Sequence, residues 1–117
     1  MKYVCLIYGT ESVVATMPAE AREKFLVEFR AFTDSIKANG QWLAGQRLQP
    51  TATATTVRVR DGKVASTDGP FAETKEQLGG FYMIEARDLN EAIQTASRIP
   101  SARYGSIEVR PIWEMNM

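Results

Sequence analysis

The clearest hydrophobic pattern in the chain is a helical stripe in its first third. An apolar residue recurs at spacings of four, three and four positions: Phe25, Phe29, Phe32 and Ile36. Proline is favoured in the first turn of a helix, and glycine takes the left-handed conformation that ends one. We therefore predict a helix from Pro18 to Asn39-Gly40 that packs its aromatic stripe in the core.

Short apolar or alternating runs predict six strands. They cover Lys2 to Tyr8, Gln41 to Gln46, Val57 to Arg60, Lys63 to Thr67, Phe81 to Ala86 and Ser106 to Ile112. Asp61-Gly62 is typical of a two-residue hairpin turn. That turn predicts the pairing of Arg60 with Lys63 and of Val59 with Val64. The valines then share one face of the hairpin, and the two cations lie on the other, solvated face.

A second helix is predicted after Asp88, which combines with Glu91 in a capping box. Its apolar stripe is Leu89, Ala92, Ile93 and Ala96, and it ends before Ile99-Pro100. The segments 9–17 and 48–56 are predicted to be loops, the second becoming a strand near Thr55.

The resulting order is β-α-β-β-β-β-α-β in one domain, residues 1–117. Without its middle hairpin this is the ferredoxin-like split βαβ pattern, so we predict an α+β fold with an inserted β-hairpin. Both helices should pack on one face of an antiparallel sheet. Because the strands are apolar on both sides, a second sheet should cover the other face, which predicts a homodimer. Trp113 is expected in that contact.

Composition narrows the class of protein. The 14 basic and 14 acidic residues balance, and the pI is about 6.3, which argues against nucleic-acid binding. The chain has no histidine and one cysteine, Cys5, expected to be buried and inert, so no transition-metal site and no cofactor are predicted. The apolar run at the start is too short for a membrane span. A cytoplasmic protein is expected.

Candidate chemistry concentrates between Ser66 and Tyr82, where a strand breaks at Asp68-Gly69-Pro70. Asp68 is the candidate acid or base, and its alternative role is a turn cap that accepts backbone N–H groups. A ligand pocket is expected at this loop, lined by Gly69, Pro70, Phe71, Glu73, Lys75 and Arg110. The duller alternatives are a solvated charged loop and, for Arg110, a surface salt bridge. Gly79-Gly80 is expected to be a bulge or a close-packing point.

These stretches resemble the YCII-related family, and more narrowly its DGPF branch. The matching segments are Met1-Lys-Tyr, the run from Leu48 to Arg58, Asp61-Gly-Lys, the run from Thr67 to Tyr82, and Ile107-Glu-Val-Arg-Pro-Ile. The resemblance implies a ferredoxin-like domain that dimerises into an α+β barrel, with a molecular function that is largely unassigned. It also implies a functional link to extracytoplasmic-function sigma factors.

One departure limits what the resemblance carries over. YCII relatives outside this branch pair a histidine with the loop aspartate, whereas this chain has Asp68 and no histidine. Three interpretations follow from the sequence. The favoured one is a dimeric binding or regulatory domain with a small-molecule pocket at the Asp68 loop. The others are a lyase- or isomerase-type enzyme that uses Asp68, and a structural dimer without a ligand.

Overall fold

The computed structural model describes residues 1–114 and shows a mixed α+β fold. Its strands are β1 (Lys2–Gly9), β2 (Trp42–Arg47), β3 (Thr55–Arg60), β4 (Lys63–Asp68), β5 (Gln77–Glu85) and β6 (Ser106–Pro111). Its helices are α1 (Glu11–Ala15), α2 (Ala19–Ala38) and α3 (Leu89–Ala96), with 3₁₀ turns at Thr51–Thr53 and Pro100–Arg103. The six predicted strands and two predicted helices are confirmed within a few residues at each end. The prediction of a loop over residues 9–17 is wrong, because α1 forms there.

Four strands form one antiparallel sheet in the order β2-β5-β1-β6, and β3 and β4 form a separate two-stranded sheet. The four-stranded order is that of a split βαβ arrangement, in which the β5 strand separates the parallel pair β1 and β2. The inserted hairpin is confirmed with its predicted register, Arg60 opposite Lys63 and Val59 opposite Val64.

Local signals set the end of α2 and the start of α3 as the sequence predicts. Gly40 has a φ of 82°, and the amide of Gln41 donates to the Ile36 carbonyl at 2.9 Å. This is the Schellman pattern that a left-handed glycine permits. The Asp88 side chain accepts the amide proton of Glu91 at 2.8 Å, so the cap of α3 is confirmed.

The core lies between one face of the four-stranded sheet and the helices α2 and α3. It is built from Tyr3, Cys5, Phe32, Ile36, Tyr82, Ile84, Ala86, Ala92, Ala96 and Ile99. The stripe of α3 is only half buried: Ala92 and Ala96 are in the core, but Leu89 and Ile93 are 49% and 48% exposed. The short alanines bring α3 close to its neighbours, which leaves the longer side chains at the edge of the contact.

Gly79 and Gly80 have separate structural roles. The register between β1 and β5 shifts at Gly79, which makes it the bulge. A Cβ on Gly80 would lie 2.8 Å from the carbonyl oxygen of Gln46, so this glycine permits close approach of β2 and β5. Both predicted roles of the glycine pair are therefore present.

Candidate functional site

Asp68 is the last residue of β4, directly opposite Thr55 at the base of the hairpin. Gly69 follows with a φ of 101°, a conformation that side-chain-bearing residues rarely take. Its amide donates to the Ala54 carbonyl at 2.7 Å, and its own carbonyl accepts from the Thr56 hydroxyl at 2.8 Å. The turn is thus closed by Gly69 and Thr56. Within residues 1–114 the Asp68 carboxylate accepts no hydrogen bond and joins no ion pair, so the turn-cap role is not what the structure shows.

The next side chains of the loop lie at the surface. Phe71 is 80% exposed, Pro70 is partly buried, and Glu73 and Lys75 are exposed. No ion pair among the described residues joins Asp68, Glu73 or Lys75. In a single chain the loop is therefore an open, charged surface with one exposed aromatic ring, and it is not an enclosed pocket.

The backbone of this loop is nevertheless held firmly by polar contacts with the segment before α2. The Glu11 amide donates to Gln77 Oε1 at 3.0 Å, and Gln77 Nε2 donates to the Thr74 carbonyl at 2.7 Å. The Thr10 hydroxyl donates to the Lys75 carbonyl at 3.4 Å. These bonds hold the backbone at the end of the loop against α1.

Glu11 also holds the other loop at this end of the sheet. Its carboxylate accepts from the Thr51 amide at 2.8 Å and from the Thr51 hydroxyl at 2.5 Å. Sequence reasoning missed Glu11, because segment 9–17 is predicted to be a loop, and with it missed the contact to Gln77. A glutamate directly after Gly9-Thr10 gives no signal of partners 40 and 66 residues away.

Arg110 lies on β6 and not against the Asp68 loop. Ser106, at the start of the same strand, is the residue that reaches the loop, where its hydroxyl donates to Glu76 Oε1 at 2.8 Å. Arg110 is four residues further along and pairs instead with Glu108, with Nη1 and Oε2 3.7 Å apart and both side chains exposed. The structure thus favours the surface salt bridge among the alternatives for Arg110.

Arg110 and Glu108 border the face of the sheet that α2 and α3 leave open. The register aligns Arg110 with Val4 and Met83, and Glu108 with Leu6 and Phe81. The four apolar residues are partly exposed, whereas the alternate residues of β1 and β5 lie in the core. This open face, defined by Val4, Leu6, Phe81 and Met83, has an apolar centre and a polar rim.

Two further features lie away from the loop. A shallow hollow of about 350 Å³ lies between the end of α2, the start of β2 and α3, lined by Asn39, Gln41, Glu91, Gln94, Thr95 and Arg98. Burial raises the pKa of the Cys5 thiol to about 11, so the prediction of a buried, inert cysteine is confirmed. No helix within residues 1–114 is both long and apolar enough to cross a membrane.

Comparison with known proteins places this chain in a family. The model of the YCII-related domain matches residues 1–116. An uncharacterised protein of Rhizobium meliloti (strain 1021) is 40% identical over 114 residues, which are 96% of this chain and 92% of that protein.

A solved structure has a similar fold. It is a 5-chloro-2-hydroxyhydroquinone dehydrochlorinase from Burkholderia phenoliruptrix AC1100, in complex with 2,5-dihydroxybenzoquinone. The TM-score is 0.57 at 14% identity, over 99% of this chain and 96% of the other. The likeness shows a shared fold. The narrower placement in the DGPF branch stays a prediction, but the family itself is shown: this chain belongs to the YCII-related domain family.

Proposed function

We propose that this chain is a dimeric small-molecule-binding domain whose ligand lies at the Asp68 loop, in a binding or regulatory role. The observation that carries the proposal is a carboxylate without a partner among the described residues, on a turn whose backbone is fixed on both sides. A charged group that the fold positions but does not pair is available to a ligand. Phe71, 80% exposed three residues later, offers an apolar surface beside it.

The dimer part of the proposal is supported by the open face of the sheet. Val4, Leu6, Phe81 and Met83 form an apolar centre, and Glu108 and Arg110 form part of its rim. An apolar centre with a polar rim is typical of a protein interface. The net charge of zero gives two copies no overall repulsion. Two such faces packed together would form the two-sheet α+β barrel.

Sedimentation tests the dimer. We expect a species of twice the 13.1 kDa chain mass at micromolar concentration. Phe81→Glu should dissociate it, because a carboxylate would be buried at the centre of the contact. Ile93→Glu is the matched control, since Ile93 is exposed on α3, away from the open face. A wild-type monomer throughout the micromolar range would reject the dimer.

A ligand titration tests the site. The probe is 2,5-dihydroxybenzoquinone, the compound bound to the dehydrochlorinase of similar fold, together with any metabolite that copurifies. Asp68→Asn should weaken binding strongly and leave the melting temperature almost unchanged, because the amide keeps the shape and loses the charge. Asp34→Asn, an exposed aspartate on α2, is the control. Equal affinity in wild type and Asp68→Asn would remove Asp68 from the site.

A lyase-type enzyme is the second candidate, and it is favoured by the similar fold of the dehydrochlorinase. Asp68 would then act as acid or base without a histidine, since the chain has none. Chloride release from 5-chloro-2-hydroxyhydroquinone is the direct assay. Release by wild type that Asp68→Asn abolishes would establish the enzyme, and its absence would leave the binding role.

We further propose a cellular compartment and one protein partner for this chain. The single, buried Cys5 suits a reducing compartment such as the cytoplasm. The proposed partner is an extracytoplasmic-function sigma factor. Copurification of the sigma factor with the tagged chain tests this link. No resident metal or cofactor is part of the proposal.

A further inference from the structure

Asp68 shares one face of the β3–β4 hairpin with three exposed valines. In the hairpin register Asp68 pairs with Thr55, Ser66 with Val57, and Val64 with Val59. Side chains alternate across a strand, so these three pairs project from the same side. An occupant that covers the whole of this face, as far as the end of β4, would therefore also come over the Asp68 carboxylate.

The hairpin has almost no core of its own. Eleven of its twelve strand residues are exposed, with Thr56 as the exception. Val57, Val59 and Val64 are 62%, 57% and 75% exposed. A two-stranded hairpin is marginally stable in water without a packed face. The turn favours the hairpin, since Asp61 and Gly62 both have positive φ as a type I′ turn requires, but nothing in the described chain packs on the valine face.

The dimensions of the chain leave room for a large contact. The accessible surface is 8457 Å², whereas a compact chain of this mass exposes about 6,400 Å². The radius of gyration is 16.3 Å, against about 13.4 Å for a compact domain of this length. The excess surface of roughly 2,000 Å² is more than twice the ~800 Å² that each partner buries in a standard interface. The open sheet face and the exposed hairpin both contribute to this excess.

Charge complementarity favours a second copy of this chain as the occupant. The hairpin carries Arg58, Arg60 and Lys63 against Asp61, whereas the Ser66–Gln77 segment carries Asp68, Glu73 and Glu76 against Lys75. The two surfaces are opposite in sign. Each strand of the hairpin is six residues long, about 20 Å, so the cations at its tip lie a strand's length from the acidic loop at its base. In a two-fold dimer the tip of each hairpin, with Arg60 and Lys63 on the face opposite the valines, can instead meet the loop of the other copy at the edge of the contact.

We propose that the hairpin is an intersubunit arm whose valine face lies on a second copy of the chain, which thereby supplies the missing wall over Asp68. The inference rests on the proposed homodimer and adds that the second copy completes the ligand site at Asp68. Small-molecule sites bury most of the ligand surface, and the exposed loop of one chain cannot do so alone. With the arm docked, Asp68, Phe71 and the second copy enclose one space.

Two neighbouring substitutions test the arm. Val64→Asp places a carboxylate on the valine face, and Ala65→Asp places the same group one residue later, opposite Arg58 on the other face. Both positions are exposed in one chain, so both variants should fold, as circular dichroism will show. Both variants lower the positive charge of the hairpin equally, so we expect Val64→Asp to weaken the dimer about tenfold more than Ala65→Asp in sedimentation.

Hydrogen exchange supplies the second measurement. In wild type, the amides of Val57 to Ser66 should exchange more slowly when the concentration is raised from the monomeric to the dimeric range. A wild-type monomer at every concentration would reject the dimer and the arm together. A wild-type dimer that Val64→Asp and Ala65→Asp affect equally, with no change in hairpin exchange, would overturn the arm alone. The hairpin would then face solvent or a different protein.

Discussion

The helix-covered face of the four-stranded sheet and the valine face of the hairpin both carry β-branched residues, and these differ in burial. Ile84 on β5 is completely buried, whereas Val64 on β4 is 75% exposed. Both side chains are β-branched and both lie in runs that form strands. The difference arises because α2 and α3 form a second layer over one sheet, and no described element does so over the other. Alternation along the chain thus predicts a strand, but not what covers it.

The largest effect should come from truncating the buried face. Ile84→Ala removes a side chain with no exposed surface and leaves a cavity, so we expect it to lower the free energy of unfolding by about 4 kcal/mol. Val64→Ala should lower it by less than about 0.5 kcal/mol in dilute, monomeric protein. Urea denaturation of both variants measures the contrast, and similar losses would show that the hairpin face is packed in a single chain.

Alkaline pH should destabilise the core through Cys5. Its pKa is about 11 in the fold against 9.0 as an ordinary thiol, so the folded chain holds this proton more tightly than the unfolded chain. The stabilisation is fully present well below pH 9 and is lost as pH rises through about 11, by roughly 3 kcal/mol at most. The free energy of unfolding, measured by denaturation across this pH range, should fall more steeply with pH for wild type than for Cys5→Ala. The same pH dependence of the unfolding free energy in both proteins would contradict the raised pKa of Cys5.

Substitution of the two neighbouring glycines of β5 distinguishes close strand packing from a bulge. Gly80→Ala should lower stability by about 2 kcal/mol, because its Cβ would meet the Gln46 carbonyl at 2.8 Å. Gly79→Ala should change stability little, since its nearest contact would be the Ile7 carbonyl at 3.9 Å. Melting curves of the two variants measure both losses of stability. Equal losses would place the strain in the bulge and not in the strand contact.

Comparison of two aspartates distinguishes a helix cap from a carboxylate without a partner among residues 1–114. Asp88→Ala removes the hydrogen bond to the Glu91 amide and should lower stability by about 1 kcal/mol. Asp68→Ala should lower it by less than about 0.5 kcal/mol, because Asp68 makes no such bond within residues 1–114. A larger loss for Asp68→Ala than for Asp88→Ala in thermal melts would restore the turn-cap role.

The sequence alone determined the features that depend on a few neighbouring residues. Asp61-Gly62 set the hairpin and its register, Gly40 ended α2, and Asp88 began α3. Each rests on backbone conformations or hydrogen bonds that span at most six residues, so their residue types are visible in the chain. The same local signals gave the order of elements from which the split βαβ arrangement followed.

Tertiary structure alone decided the contacts between distant segments. Glu11 binds Thr51 and Gln77 because α1 stands where two loops meet, and no periodicity predicts that. Arg110 lies on the rim of the open face because β6 pairs with β1, which carries it away from the loop. Asp68 joined the valine face because β4 runs one residue beyond its predicted end at Thr67. Side-chain direction follows from pairing, and pairing at a strand end depends on partners that the chain supplies from far along its length.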